Sequence, residues 1–143
     1  MCGLVAVDHA ARVASLEGAV VLASRFALRP GHLLVAASRH AERFSELGPH
    51  EASALYAAVD RAARALEREA LVRRVHVAFL GSASARDVSF PHLHAHVVPL
   101  FDGGPADRPS EVLTWERGVT WLSDGALLAL AARLAPAIVG HVE

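Results

Sequence analysis

From Phe90 to Pro99 the chain alternates imidazole and apolar side chains: His92, His94 and His96 are interleaved with Leu93, Ala95 and Val97. In an extended strand successive side chains point to opposite faces, so this period of two puts the three histidines on one face and their neighbours on a core. A helix would scatter the same three imidazoles around its axis. The pattern predicts a strand, and the rest of the chain is arranged around it.

Other stretches show their own periods. Residues 4–7 and 19–23 are short apolar runs separated by Asp8 to Gly18, and they predict two strands or a hairpin. Ser24 to Arg29 is a connection, and Pro30-Gly31 marks the turn into a strand over Leu33 to Ala36. Ser38 to Leu47 is polar and reads as a loop with a helical turn. Over Pro49 to Ala70, Ala52, Leu55, Tyr56, Val59, Ala62, Ala63, Leu66 and Ala70 recur at helical spacing, with Arg61, Arg64 and Arg68 on a solvated face. Pro49 suits the first helical position. Val75 to Leu80 predicts a buried strand, with Val75, Val77 and Phe79 on one side and His76 pointing the other way. Gly103-Gly104-Pro105 breaks the chain, and the segment to Gly118 reads as irregular. Ser123 and Asp124 start a second helix, through Ala126 to Leu134, which ends at Pro136. Trp121 is expected to pack, and the place of Trp115 stays open. Strands in one hairpin-linked antiparallel sheet with helices on one side make an α+β class, and residues 1–143 form one domain.

Composition narrows the chemistry. Formal net charge is −1, so no bulk basic field points to nucleic acid or to an anionic membrane surface. No apolar run approaches the length of a spanning helix, and Met1-Cys2-Gly3-Leu4 does not begin a signal peptide. Cys2 is alone and makes no internal disulfide, which fits a reducing, cytoplasmic setting. All 14 basic residues are arginine, and there is no lysine, asparagine or glutamine. A Schiff base and a lysine-bearing phosphate loop are therefore excluded.

From the residues alone, three readings of the alternating histidines stay open. They are packed imidazoles with hydrogen-bond partners, zinc ligands of the His-x-His kind, or a nucleophile with phosphate ligands. His32, at the mouth of the strand after Pro30-Gly31, is a further imidazole that can face them or stand exposed.

The segment His92-Leu93-His94-Ala95-His96-Val97-Val98 resembles the signature of the histidine-triad (HIT) nucleotide hydrolases and transferases. Pro30-Gly31-His32-Leu33-Leu34-Val35, followed by Arg39-His40, resembles a second element of that family, in the family's order. The resemblance spans about residues 20 to 100. It implies a five-stranded antiparallel sheet with one long helix and a C-terminal helix, usually paired into a homodimer. It also implies cleavage of a nucleoside phosphoanhydride or phosphoramidate, with dinucleoside polyphosphates foremost, and needs no metal or cofactor. By position, His94 would attack the α-phosphate to form a nucleotidyl-histidine that water releases, and the His92 carbonyl would hold its Nδ1–H. His96 and His32 would contact phosphate oxygens and help the leaving group. Three departures stand out. The ribose position, eight residues before His32, holds Ser24 where many members have Asp or Asn. The amide expected before the triad is absent, so Ser82, Ser84, Arg86, Ser89 or backbone N–H groups must bind phosphate. There is also no Cys-x-x-Cys for a structural zinc. These departures keep a second reading alive, a non-catalytic nucleotide-binding partner protein, beside the zinc-dependent enzyme.

Overall fold

The computed structural model describes residues 9–80, 91–102 and 108–140. Its order is β1 (Arg12–Leu16), β2 (Ala19–Ala23), β3 (Phe26–Ala27), β4 (Leu33–Ala37), a 3-10 turn (Phe44–Glu46), α1 (Pro49–Glu67), β5 (Val72–Ala78), β6 (His94–Phe101), α2 (Pro109–Leu113), β7 (Thr120–Trp121) and α3 (Asp124–Val139). Five strands form one sheet in the order β1-β2-β4-β6-β5, and every neighbouring pair is antiparallel. β3 and β7 form a separate two-stranded ribbon. The architecture is α+β, a five-stranded antiparallel sheet with a long helix and a C-terminal helix.

Both long helices lie on one face of the sheet, because each has an apolar stripe to bury. Leu55, Leu66, Leu127, Leu134 and Ile138 pack there on Val21, Leu33, Val35, Ala95 and Val97. Helix α1 starts cleanly: Pro49 needs no N–H partner, and Glu51 accepts from the Gly48 N–H at 2.9 Å. The opposite face carries His94 and His96, with Val20, Leu22 and Leu34 in one buried group and Leu28, Val98, Leu100 and Val112 in another. Short helix α2 places Val112 in that second group.

Several expectations need correction. The run at 4–7 lies outside the described residues, and the first described strand, Arg12–Leu16, falls where a connection was expected. A register shift between Arg12 and Ala14 puts consecutive Val13 and Ala14 into the core, which hides the period of two. Helix α1 ends at Glu67 rather than Ala70, and Leu71 follows with φ 71°. Tyr56, placed on its apolar stripe, is exposed and meets Phe44 and Phe79 instead. β5 is an edge strand rather than a buried one, with Val77 44% exposed. Residues 109–113 are helical within the segment read as irregular. Helix α3 runs through Pro136 to Val139, because fully buried Ile138 draws one more turn into the core. Trp121 is exposed, with the Arg25 guanidinium 5.7 Å from its ring centre. Trp115 is exposed too.

Candidate active site

Four of the predicted site residues meet at the junction of β4, β6 and the loop 24–32. β6 begins at His94, so His92 stands just before the strand rather than within it. The approach is fixed by Leu93, whose N–H donates to the Ala41 carbonyl at 2.6 Å and whose carbonyl accepts from Ala37 N–H at 3.2 Å. His92 is buried; its Nε2 donates to the Ala37 carbonyl at 2.7 Å and its ring meets the edge of His40.

His94 is 5% exposed. Its Nδ1 lies 2.6 Å from the His92 carbonyl, which only accepts, so the ring proton sits on Nδ1. The lone pair is left on Nε2. That is the tautomer a nucleophile requires. Burial lowers the His94 pKa below its ordinary value, and the His92 carbonyl pulls it only part of the way back. The ring is therefore neutral at pH 7.

His96 is the next histidine along the same face, with ring centres 5.0 Å apart. Burial first, then the neighbouring His94, hold its pKa down at about 4. Its Nδ1 lies 3.1 Å from Nε2 of His32, and the two rings stack at 5.2 Å. The loop that brings His32 here turns at Gly31, whose φ of 88° suits a residue without a Cβ. The Ser24 N–H donates to the His32 carbonyl at 2.9 Å and closes the loop. His32 is 1% exposed, and the Leu28 N–H donates to its Nδ1 at 3.2 Å. Burial, then repulsion from His96 and His94, bring its pKa down to about 3, with the Phe26 carbonyl pulling the other way.

The remaining predicted residues separate. Ser24 is buried in the same loop, and its hydroxyl donates to the Phe26 carbonyl at 3.0 Å. Ser82, Ser84, Arg86 and Ser89 lie outside the described residues. Arg39 does not join the site: its guanidinium binds both oxygens of Glu51, at 2.7 and 3.0 Å, and ties the 38–47 loop to the start of α1. The backbone partners, the Leu28 N–H and the Ala37 carbonyl, were missed by sequence reasoning, because nothing in a side-chain pattern marks them. His40 was seen only as part of a motif. Among the described residues, no group of three or more His, Cys, Asp or Glu side chains is arranged to hold a metal ion. A cavity of about 230 Å³ lies apart from the histidines, between Gly31, Leu66, Val72, Pro99 and Arg133. No helix among the described residues is long and apolar enough to cross a membrane.

The site thus gathers four imidazoles, one of them, His94, with its ring proton held on Nδ1. The HIT domain model matches residues 6–103, and the chain belongs to the HIT family, composed mostly of nucleotide hydrolases and transferases. Solved structures share the fold. A Hit-like protein involved in cell-cycle regulation from Bartonella henselae aligns at a TM-score of 0.70 with 17% identity, covering 89% of this chain and 85% of that one. A zinc-bound histidine triad family protein from Mycobacterium smegmatis aligns at 0.65 with 22% identity, over 95% and 94%. Diadenosine triphosphate hydrolase from Plasmodium falciparum, in complex with Cyclomarin A, aligns at 0.72 with 13% identity, over 93% and 79%. Among curated proteins, none matches the sequence.

Proposed function

We propose that this protein is a nucleotide hydrolase or nucleotidyl transferase that cleaves a nucleoside phosphoanhydride or phosphoramidate through a nucleotidyl-histidine intermediate. The observation that carries the reading is the bond from His94 Nδ1 to the His92 carbonyl, which leaves the ring's lone pair on Nε2. In the reaction, Nε2 of His94 bonds to the α-phosphorus, and the bond from phosphorus to the leaving group breaks. Water then attacks the phosphorus from the vacated side, and the nucleoside monophosphate departs from His94. His96 stands beside the nucleophile to donate to a phosphate oxygen. Donors aimed at developing charge are worth about 3–4 kcal/mol each when removed. A dinucleoside polyphosphate is the substrate this reading favours, by analogy with the diadenosine triphosphate hydrolase that shares the fold.

Intact-protein mass spectrometry tests the reading. After a short incubation with a diadenosine polyphosphate and a quench that avoids acid, the wild type is expected to gain the mass of one adenylyl group. No adduct in the wild type, together with tight nucleotide binding, would favour a binding protein without turnover.

A homodimer fits the same reading. β5 is a free sheet edge, and Val77, Tyr56, Phe44 and Leu80 are exposed large apolar residues on or beside it. Such an edge is blunted when a second copy pairs with it. Sedimentation velocity is expected to give twice the chain mass, and Val77→Glu is expected to shift it to one chain mass. A monomeric wild type at micromolar concentration would remove the dimer.

A further inference from the structure

The register of β5 on β6 carries the face of the sheet beyond the four histidines. Ala78 stands opposite His96, His76 opposite Val98 and Arg74 opposite Leu100. Residues directly opposite in an antiparallel pair share a face, and successive residues of one strand alternate. Arg74, His76 and Ala78 therefore stand on the face of His94 and His96, while Val75 and Phe79 pack on the main apolar cluster behind. Ala78 is small, so the face is low beside His96. His76 lies one step further along β5 and Arg74 two, at about 7 Å a step. The run keeps its register from Ala78 to Arg74, and the irregularity falls just past it, with Arg73 as the extra residue. Arg74 is exposed, and no ion pair among the described residues holds its guanidinium. Acids on the elements that pack here are paired with other arginines: Asp102 lies 3.8 Å from Arg73, and Glu111 on α2 lies 3.0 Å from Arg117. Val98, Leu100 and Val112 form a buried apolar wall along the row, which strengthens any charge interaction beside it.

Resting on the hydrolase reading above and deepening it, we propose that Arg74 and His76 form an anion subsite for the phosphates beyond the scissile bond, and that the preferred leaving group carries at least three of them. With the α-phosphate at His94 and His96, the chain leads off over Ala78, where no long side chain stands in its way. A phosphoanhydride repeat is close in length to the rise of one strand residue, about 3.3 Å, so the chain comes level with His76 after two or three phosphates. His76 offers a ring N–H there. Arg74 reaches back with a planar fork that can bind two phosphate oxygens at once. A dinucleoside tetraphosphate fills this subsite, and a triphosphate stops short of Arg74. Neither residue touches the reacting phosphorus, so the subsite sets affinity and chain-length preference rather than the chemical step. Pairing of the β5 edge with a second copy would use backbone groups and leave these side chains on the face.

Binding is measured first, by calorimetry in the His94→Ala protein so that the ligand persists. Adenosine tetraphosphate is expected to bind about 100-fold tighter than AMP, the worth of two charge-assisted contacts. Arg74→Gln is expected to weaken the tetraphosphate about 10-fold and His76→Ala about 3-fold, with AMP affinity unchanged in both. With His94 intact, Arg74→Gln is expected to raise KM for diadenosine tetraphosphate about 10-fold at unchanged kcat, and to move KM for diadenosine triphosphate by less than about 3-fold. A circular dichroism melt accompanies each variant; Arg74 is exposed, so its replacement leaves the core as it is. Equal affinity for AMP and adenosine tetraphosphate, a tetraphosphate affinity indifferent to Arg74→Glu, or an equal loss on both nucleotides would overturn the proposal. If the calorimetry behaves as stated while no diadenosine polyphosphate is cleaved, the subsite stands and the hydrolase reading falls.

Discussion

Turnover of a diadenosine polyphosphate is expected to fall by roughly 10⁴-fold or more when His94 is replaced by alanine, as for other obligate nucleophiles. Water at the same phosphorus lacks both the fixed approach and the nitrogen lone pair, so the residual rate comes from His96 and binding alone. The fold is expected to survive. The His94 side chain lies on the sheet face away from the two long helices, and the main apolar cluster is built on the other side by Leu93, Ala95 and Val97. The variant loses the hydrogen bond to the His92 carbonyl, worth about 1 kcal/mol, and the ring contact with His96, neither of which belongs to the main apolar cluster. Steady-state assays beside a circular dichroism melt separate the two effects. Activity within tenfold of the wild type, in a protein that melts normally, would remove His94 as the nucleophile.

How much of this was legible beforehand differs from residue to residue. The period of two from His92 to Val98 located β6 and its two faces, because one face had to meet a core and the other did not. The helical period likewise located α1, since an apolar stripe on nineteen consecutive residues has few other uses. β1 was lost for a local reason: its register shift puts Val13 and Ala14 inward together, which no alternation rule detects. Pro136 misled because a proline lacks an N–H and ordinarily ends a helix, yet in the last turn that loss is one bond against the burial of Ile138. Trp121 misled because size suggested packing, whereas the β3–β7 ribbon holds it at the surface opposite Phe26.

The site shows the same division. The side chains were visible as letters, and the family resemblance ordered them along the chain. Their mutual bonds were not visible. His32 and His96 are 64 positions apart, and only the pairing of β4 with β6 brings them to 3.1 Å. The groups that fix the tautomers are backbone atoms, the His92 carbonyl and the Leu28 N–H, which every residue type has. Sequence therefore named the imidazoles, while folding decides which nitrogen of each is protonated.

The same burial predicts a sensitivity to mild acid. His32 and His96 have pKa values of about 3 and about 4 in the folded chain, against an ordinary 6.5 when unfolded. Above pH 6.5 both states hold these rings neutral, and their contribution to stability is fully present. As pH falls below 6.5 the unfolded chain takes up protons that the folded chain refuses, so stability is lost down to the folded values near 4 and 3. By pH 5 each ring costs about 2 kcal/mol, and the pair about 4 kcal/mol. The melting temperature is then expected to fall on the order of 10 °C between pH 7.5 and pH 5. Glu51, the carboxylate most strongly paired, does not account for a loss in that window: held down at about 2 by Arg39 and the Gly48 N–H, it stays ionised well below it. Urea denaturation at half-unit pH steps measures the slope directly, and His32→Gln, which removes one titrating ring, is expected to make it shallower by that ring's share. A stability that stays level from pH 7.5 to pH 5 would mean that these imidazoles titrate as in the unfolded chain. The neutral, hydrogen-bonded array on which the chemistry depends would then not exist.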